Sequence, residues 1–285
     1  MREDCPSATA MRVAMRRAAH QILDHPKIFD DPLALRILGL DNESASPSGQ
    51  EVSDQTPIER GLRSFLAVRS RYAEDELHTA VRRSVHQYVV LGAGLDTFAF
   101  RNPYPEDVLH VFEVDHPNTQ NWKRACLEKA SIPIPGTLTF SPVDFETRTL
   151  EEGLRETGFN SAGSAFFSWL GVTQYLSSEA VFSTLQFVAS LPAGSTIVFD
   201  YTITPSLLNP VAREVFERLA HRVALAGEPF RSTFDPSRLK NRLKDMGFGQ
   251  IEDLSRRELN GRYYQNRPDQ LRDGGFARVM NARIL

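Results

Sequence analysis

The chain has 285 residues, enough for one large domain, and its 41% hydrophobic and 24% charged residues are typical of a globular protein. A formal net charge of -3 excludes the global basic field of a nucleic-acid-binding protein. No apolar run approaches the roughly 18 to 20 residues of a membrane span, and the N-terminal residues lack a signal-peptide core, so we expect a cytoplasmic protein with no membrane partner.

Helical patterns fill the first part of the chain, which we predict to be an N-terminal helical cap over residues 1–82. Apolar residues recur at helical spacing over 8–23, over 32–40 and again over 58–81. Between the second and third of these segments, residues 41–55 are rich in Ser, Asp and Pro and lack any apolar period. This composition predicts a flexible loop.

After residue 86, short apolar runs alternate with helical segments, the pattern of a parallel, doubly wound sheet. The predicted strands are 88–91, 108–114, 138–143, 165–169, 196–200, 250–255 and 276–284. The predicted helices are 118–130, 150–157, 178–191, 207–226 and 236–246. We therefore predict an α/β fold with a doubly wound, seven-stranded, mostly parallel sheet. The last two strands should pair antiparallel at one edge, because the polar stretch between them is too short for much helix.

We predict a single domain built around this sheet. Residues 86–201 form its cofactor-binding core, 202–235 a helical lid insertion, and 236–285 a C-terminal helix and strand pair. In open α/β sheets, ligands bind at the carboxyl ends of the strands, near the point where the strand order reverses. The residues that directly follow each strand are therefore the first candidates for a binding site.

The first two strands end in residues suited to a nucleoside. Gly92-Ala93-Gly94 follows the first strand, and its two glycines let the backbone turn tightly and approach a ligand closely. Glu113-Val114-Asp115 ends the second strand, and Asp115 lies 23 residues beyond Gly92, near the spacing at which an acidic side chain meets a ribose. Asp115 also suits a helix N-cap, since His116-Pro117 opens the next helix.

The next two strands add candidates of the same kind. Asp144 and Phe145 follow the third strand, where the carboxylate suits the adenine amine and the ring suits its face, although Asp144 also suits an N-cap. Trp169-Leu170-Gly171 and then Tyr175 follow the fourth strand and have the composition of a pocket floor. Trp169 and Tyr175 are equally suited to the core.

The residues after the cofactor turn discriminate between nucleoside cofactors. The dinucleotide fingerprint has a third glycine where Thr97 stands, and Asp96 would place a negative charge beside the phosphates. S-adenosylmethionine has no phosphate and carries a sulfonium cation, which nearby carboxylates favour. The predicted cofactor is therefore S-adenosyl-L-methionine.

Several segments resemble a known family. VVLGAGLDTFAFR, VFEVDHP, VDFET and FFSWLGVTQYL are similar, in this order, to the motifs of the leucine carboxyl methyltransferase-like family of S-adenosylmethionine-dependent enzymes. HPKIFDDPLALRIL and RSRYAEDEL resemble N-terminal signatures of its bacterial O-methyltransferase branch, so that the resemblance spans residues 15–201. It implies a Rossmann-like methyltransferase fold. It also implies that Arg69 (or Arg71) pairs with the methionine carboxylate, Gly92 and Gly94 contact the methionine, Asp115 the ribose, and Asp144 and Phe145 the adenine.

One departure from the family pattern concerns Leu170. Many members have Glu at this position, near the methionine amino group, whereas Leu170 leaves that contact to backbone carbonyls. This argues against the protein-phosphatase-methylating function of the family. The full predicted cofactor-binding set is Arg69, Gly92, Ala93, Gly94, Asp96, Glu113, Asp115, Asp144, Phe145, Trp169, Leu170 and Gly171, and no metal site is expected.

The predicted reaction is methyl transfer to a carboxylate or hydroxyl oxygen of a small-molecule acceptor. A carboxylate nucleophile needs no base, whereas a hydroxyl benefits from one. Candidate catalytic residues near the strand ends are Tyr175, Tyr201 and His116, together with Asp200, and His221 is a weaker candidate.

The apolar side chains of the insertion favour a hydrophobic acceptor, although core packing explains them equally well. The alternatives are a protein C-terminal carboxyl methyltransferase, a nicotinamide-dependent oxidoreductase and a non-catalytic module of the same fold.

Overall fold

The structure is built on a seven-stranded sheet with helices on both faces. It is a computed structural model that describes residues 8–40, 56–144, 147–225 and 227–285. The strands are β1 (Gln87–Leu91), β2 (His110–Asp115), β3 (Leu138–Pro142), β4 (Ala165–Trp169), β5 (Thr196–Thr202), β6 (Phe248–Leu254) and β7 (Ala277–Ile284). The helices are α1 (Ala8–Leu23), α2 (Pro57–Val81), α3 (Pro117–Lys129), α4 (Leu150–Glu156), α5 (Ser178–Ala189), α6 (Pro210–Leu225), α7 (Pro236–Asp245) and α8 (Arg256–Tyr263). The loop predicted over residues 41–55 lies outside the described residues, as does Phe145.

The strand order, β3-β2-β1-β4-β5-β7-β6, confirms the predicted doubly wound sheet. Neighbouring strands from β3 to β5 are parallel, whereas β7 runs antiparallel to both β5 and β6. The chain moves from β1 outward through β2 to β3 and then returns to place β4 on the other side of β1. The order therefore reverses between β1 and β4, which is where a ligand crevice is expected.

Alternate side chains of each strand point to opposite sides of the sheet, and helices that pack on both sides bury both faces. On one face, Tyr88 and Val90 of β1 pack in a cluster with Val68 and Tyr72 of α2. On the other face, a second cluster contains side chains of α4, α5 and α7 together with Val89 and Leu91 of β1, Phe167 of β4 and Phe199 of β5. Full burial of each large apolar side chain stabilises the fold by roughly 1.5 to 3 kcal/mol.

The last two strands pair antiparallel at one edge of the sheet, as predicted, with β6 at the edge and β7 between β5 and β6. One detail of the prediction was wrong, because the polar stretch between them contains a helix, α8. Its first turn is stabilised by a capping box: the Ser255 side chain accepts from the Glu258 N–H, and the Glu258 carboxylate accepts from the Ser255 N–H. The Ser-x-x-Glu spacing at 255–258 is a sequence signal for this helix.

The helix predicted over 32–40 is reduced to turns and one 3-10 segment, Arg36–Leu38. The reason lies at Asp31, which is only 1% exposed and whose carboxylate accepts the N–H of Leu33. The same carboxylate contacts Arg17 and Thr97, so the start of the segment is held by tertiary contacts rather than by a helical ladder. Gly39 then ends it with a φ of 69°.

Candidate cofactor site

A cavity of about 470 Å³ opens at the carboxyl ends of β1 to β4, within the usual size range of small-molecule sites. Residues after each strand form its floor, and α1 and α2 form walls above them. Nine members of the predicted cofactor-binding set line it: Arg69, Gly92, Ala93, Gly94, Asp96, Asp115, Asp144, Leu170 and Gly171. The structure thus brings together side chains from four strand ends and from α2.

The turn after β1 has a conformation that requires glycine. Gly92 has a φ of 65° and Gly94 a φ of 49°, in the left-handed region that L side chains disfavour. A Cβ on Gly92 would lie 2.3 Å from Cγ2 of Val172, which is closer than any real contact. The Gly92 N–H donates to the Val114 carbonyl at 2.8 Å and ties the turn to β2. The bare backbone of this turn therefore faces the cavity.

Asp115, at the end of β2, points its carboxylate at the same turn. Its Oδ2 accepts the Gly94 N–H at 2.6 Å, and its Oδ1 accepts the His116 N–H at 2.7 Å. The N-cap alternative for Asp115 is wrong, because His116 caps α3 by accepting the Asn118 N–H. Burial raises the pKa of Asp115, and the two backbone N–H groups partly offset this. A carboxylate has about four acceptor positions, so two remain for a ligand hydroxyl pair.

Arg69 of α2 reaches the turn after β4 through Asp200. Its Nη1 donates to Asp200 Oδ2 at 2.8 Å, and Asp200 Oδ1 accepts the Gly171 N–H at 2.5 Å. Both side chains are buried, and a Cβ on Gly171 would lie 2.7 Å from Arg69 Nη2. Asp200 therefore fixes Arg69 against the Gly171 turn, and Arg69 faces the cavity.

Thr97 stands where a dinucleotide turn has its third glycine, and its side chain makes tertiary hydrogen bonds. It is fully buried, and its hydroxyl donates to Asp31 Oδ2 at 2.7 Å and accepts from Arg101 Nε at 3.1 Å. Thr97 thus joins the segment after the cofactor turn to the loop that follows α1.

Asp96 lines the cavity beside this junction. Its Oδ1 accepts the Phe98 N–H at 2.8 Å, and its Oδ2 lies 3.5 Å from Nη1 of Arg17. Burial would raise the pKa of Asp96, but Arg17, Lys123 and Arg101 outweigh this and lower it, so the carboxylate is ionised.

The far end of the cavity is formed by residues after β2 and β3: His116, Thr119, Val143 and Asp144. The N-cap alternative for Asp144 is wrong, because Thr149 caps α4. The Asp144 carboxylate and the apolar Val143 together suit the amine and the face of an adenine. That assignment stays a prediction, and its partner Phe145 lies outside the described residues.

Two predicted cofactor residues do not line the cavity. Glu113 is fully buried in β2, where its Oε2 lies 2.5 Å from Nζ of Lys123, and burial raises its pKa to about 7 although Lys123 lowers it. Trp169 is 2% exposed and packs beside Phe199 in the core. Arg71, the alternative to Arg69, is exposed and pairs with Asp75 on the surface of α2.

Some of the candidate catalytic residues also line the cavity, and others lie outside it. Tyr175 and His116 line the cavity, whereas Tyr201 is buried and donates to Asp253 outside it. Asp200 is paired with Arg69, and His221 is exposed on α6. Burial raises the pKa of Tyr175, with Thr9 and Gln174 opposing this, so its phenol donates hydrogen bonds at neutral pH and does not act as a base.

The cavity is covered by a roof that the sequence predicted only in outline, as a helical lid over residues 202–235 and an N-terminal helical cap. The roof consists of Thr9, Ala10 and Val13 from α1 and of residues 227–231 after α6. The Glu228 carboxylate accepts from both the N–H and the hydroxyl of Thr9 and joins the two parts.

The apolar side chains of the insertion are not in the cavity. None of those predicted to face the acceptor (Leu207, Leu208, Val211, Val215, Phe216, Val223, Phe230 and Phe234) is among the residues that line it.

The site fits S-adenosylmethionine on three observations. Glycines at positive φ keep the cradle open, and Cβ atoms there would close it. Asp115 retains acceptor positions for a ribose. Arg69 is 5% exposed and faces the cavity, and its Nε has no hydrogen-bond partner among the described residues. The positive charge of the Arg69 guanidinium is the charge required to bind a methionine carboxylate.

Within the four described ranges, no group of three or more His, Cys, Asp or Glu side chains is arranged to hold a metal ion. In the same ranges, no helix has the length and apolar character needed to cross a membrane.

Comparison with known proteins identifies relatives along most of the chain. A sequence model described as leucine carboxyl methyltransferase matches residues 10–189. YktD of Bacillus subtilis (strain 168), named as a candidate S-adenosyl-L-methionine-dependent methyltransferase, is 34% identical over 291 residues, or 95% of each chain. A protein of Mycobacterium marinum (strain ATCC BAA-535 / M) with the same description is 32% identical over 70% of this chain and 67% of its own.

Solved structures of similar fold have low sequence identity. A DUF574 family protein from Streptomyces avermitilis aligns with a TM-score of 0.54 and 15% identity, over 87% of this chain and 94% of its own. A candidate methyltransferase from Thermobifida fusca aligns with a TM-score of 0.55 and 16% identity, over 87% and 92%. These likenesses confirm the Rossmann-like fold.

Proposed function

The chain belongs to the leucine carboxyl methyltransferase family and is an S-adenosylmethionine-dependent methyltransferase, and on this premise we propose that it methylates an oxygen of a small-molecule acceptor. Between the two acceptor classes predicted from the sequence, the proposal favours a carboxylate over a hydroxyl. The single observation that carries this choice is a pair of side chains that line the cavity together, Tyr175 from the segment after β4 and Arg231 from the roof.

The chain contributes binding and orientation. Bound S-adenosylmethionine supplies an electrophilic methyl group on a sulfonium. Arg69 would hold the methionine carboxylate of such a molecule and Asp115 its ribose, both beside the glycine turn, and the roof of α1 and residues 227–231 would limit the access of water. Holding two reactants in line contributes up to roughly 7 to 11 kcal/mol to catalysis, so positioning by these residues is a sufficient mechanism.

Arg231 is the cation available to an anionic acceptor. Of the arginines that line the cavity, Arg17 pairs with Asp31 and Asp96, and Arg69 pairs with Asp200. Arg231 is exposed at the rim, and its guanidinium makes no hydrogen bond or ion pair with the described residues. A guanidinium recognises a planar carboxylate through two parallel hydrogen bonds, which fixes the orientation of the acceptor.

Tyr175 supports the same choice. Because its pKa is raised by burial, the phenol donates a hydrogen bond and does not accept a proton. A carboxylate acceptor is already ionised at neutral pH and needs no base, whereas a hydroxyl acceptor does. The small cavity, which also houses the cofactor, favours a small acceptor over a protein tail.

The test is a transfer assay with labelled S-adenosylmethionine against small carboxylic acids, phenols and whole proteins. We expect label in the acids. Arg231→Met should raise the acceptor KM about 10- to 100-fold, the loss of one charge-assisted contact, and leave the dissociation constant of S-adenosylhomocysteine unchanged. Arg257→Met, which alters an exposed arginine on α8, is the matched control. Label in protein alone would overturn the small-molecule proposal.

A hydroxyl acceptor is the second candidate, because Glu228 lines the cavity and is a possible base. Glu228→Gln separates the two cases. Methylation of a phenol should then fall with a flattened pH profile, whereas methylation of a carboxylate should persist. Label in phenols that depends on Glu228 would replace the carboxylate proposal.

A further inference from the structure

A cluster of five ionisable side chains lies beside the cofactor turn, and we name it the N-terminal ion cluster: Arg17, Asp31, Glu74, Asp96 and Arg101. Arg17 Nε lies 2.9 Å from Asp31 Oδ2, and its Nη1 lies 3.5 Å from Asp96 Oδ2. Arg101 forks onto Glu74, with Nη1 donating to Oε2 at 2.9 Å and Nη2 donating to Oε1, and its Nε lies 3.6 Å from Asp31. Arg17 also donates to the Leu95 carbonyl inside the turn.

With all five side chains ionised, the cluster carries one net negative charge, because it holds three carboxylates and two guanidiniums. The nearby Lys123 pairs with Glu113 and also lowers the pKa of Asp96. Burial raises the pKa of Glu74, Arg101 lowers it, and Asp96 and Asp31 raise it again. The Asp96 and Glu74 side chains are 25% and 24% exposed, and a partly buried excess of negative charge is stabilised by a bound cation.

The wall of the cavity that α2 forms has side chains of opposite charge at its two ends. Arg69, Ser70, Ala73 and Glu74 of this helix all line the cavity, so they form one stripe. Glu74 follows Arg69 by five residues, a rise of about 7.5 Å along the axis. The stripe therefore presents a cation at one position and an anion at the other, with Asp96 facing the cavity beside the anion.

This arrangement matches the charges of an amino acid. The methionine part of the cofactor has an ammonium and a carboxylate on one carbon, and Leu170 supplies no charge for the ammonium. We propose that Asp96 and Glu74 of the N-terminal ion cluster receive the ammonium group, while Arg69 receives the carboxylate. The inference rests on the cofactor of the proposed function and is independent of the acceptor.

A purely structural role is the competing explanation, because the cluster also joins α1, the loop after it and α2. Activity alone does not separate the two. The discriminating readout is which part of the ligand a variant ceases to recognise, measured as a dissociation constant by titration calorimetry without any turnover.

Three ligands make this comparison. S-adenosylhomocysteine has both charged groups, its decarboxylated analogue has only the ammonium, and 5′-methylthioadenosine has neither. Asp96→Asn, which keeps the size of the side chain, should weaken the first two about 10- to 100-fold and leave 5′-methylthioadenosine unchanged. Arg69→Gln should weaken S-adenosylhomocysteine and spare the decarboxylated analogue. Asp115→Asn, the matched control at the ribose, should weaken all three.

Two results would overturn the proposal. One is an equal loss of affinity for all three ligands in Asp96→Asn, which indicates a distorted turn. The other is an unchanged affinity for S-adenosylhomocysteine. If Asp96→Asn does not fold, Glu74→Gln provides the same comparison from the α2 side. If the three ligands bind the variants as expected but no acceptor is methylated in the transfer assay, the result counts against the proposed function and not against this inference.

Discussion

Asp115→Asn is the substitution that tests the cofactor site most directly. Asn has the size of Asp but has a single acceptor oxygen, and the native carboxylate accepts the N–H groups of Gly94 and His116 on separate oxygens. The variant keeps one of these contacts and loses the charge-assisted acceptor for a ribose. Because burial raises the pKa of Asp115, the neutral amide also removes a desolvation cost. We therefore expect the ligand-free variant to be stable to within about 1 kcal/mol of the parent chain.

The effect on binding is larger. A hydrogen bond to a charged group contributes about 1.5 to 3 kcal/mol, or about 10- to 100-fold in the dissociation constant. Ligand at 100 times its dissociation constant stabilises the parent chain by about 2.7 kcal/mol. A hundredfold weaker variant at the same ligand concentration keeps only about 0.4 kcal/mol. At roughly 2 to 4 °C per kcal/mol, the rise in Tm shrinks from several degrees to about one.

The assay is thermal unfolding with and without S-adenosylhomocysteine, with the dissociation constant from calorimetry. Asp107→Asn is the control, since Asp107 is exposed and lies outside the cavity. An undiminished ligand-induced rise in Tm would refute the ribose assignment. A large loss of stability without ligand would show that Asp115 holds the turn rather than the cofactor.

Two further predictions concern stability. Gly92→Ala should lower the free energy of unfolding, measured in denaturant melts, by about 2 to 5 kcal/mol, because the cost of the positive φ and the cost of the clash with Val172 add. Gly158→Ala is the control: Gly158 also has a positive φ but lies in open space, so the free energy of unfolding should fall by only about 1 to 2 kcal/mol. The pKa of Glu113 is raised from 4.5 to about 7, so the folded state binds the extra proton between these values. Its contribution should therefore make stability fall by at most about 3 kcal/mol as pH rises through that window and level off above it. The double variant Glu113→Gln with Lys123→Met should lack this fall, and an unchanged slope would contradict the assignment.

Much of the fold is readable from local patterns. Strand and helix periods predict all seven strands, and the start and end of α1 agree with the prediction to the residue. The glycine turn is also readable, because a tight turn after a buried strand limits the residue types that fit. The α8 helix was missed although its capping box is in the sequence, and the short segment after Asp31 was overpredicted because helical spacing says nothing about a buried carboxylate.

Other parts of the site depend on residues far apart in the chain. Thr9 and Glu228 meet across 219 positions to form the roof, and no period or spacing links them. The insertion was expected to supply an apolar wall, but the segment after α6, not the helix itself, reaches the cavity and brings polar groups. The prediction of a hydrophobic acceptor rested on side chains that the fold places elsewhere.

The sequence by itself determined the cofactor class, because turn chemistry and strand order are local or nearly local. Thr97 in place of a third glycine argued against a dinucleotide, and the structure shows that its hydroxyl is used to anchor the turn to Asp31. Only the tertiary structure decided that Arg17, Glu74 and Arg231 belong to the site. Charges act through space, and the balance of a cluster depends on which distant side chains the sheet and helices bring together.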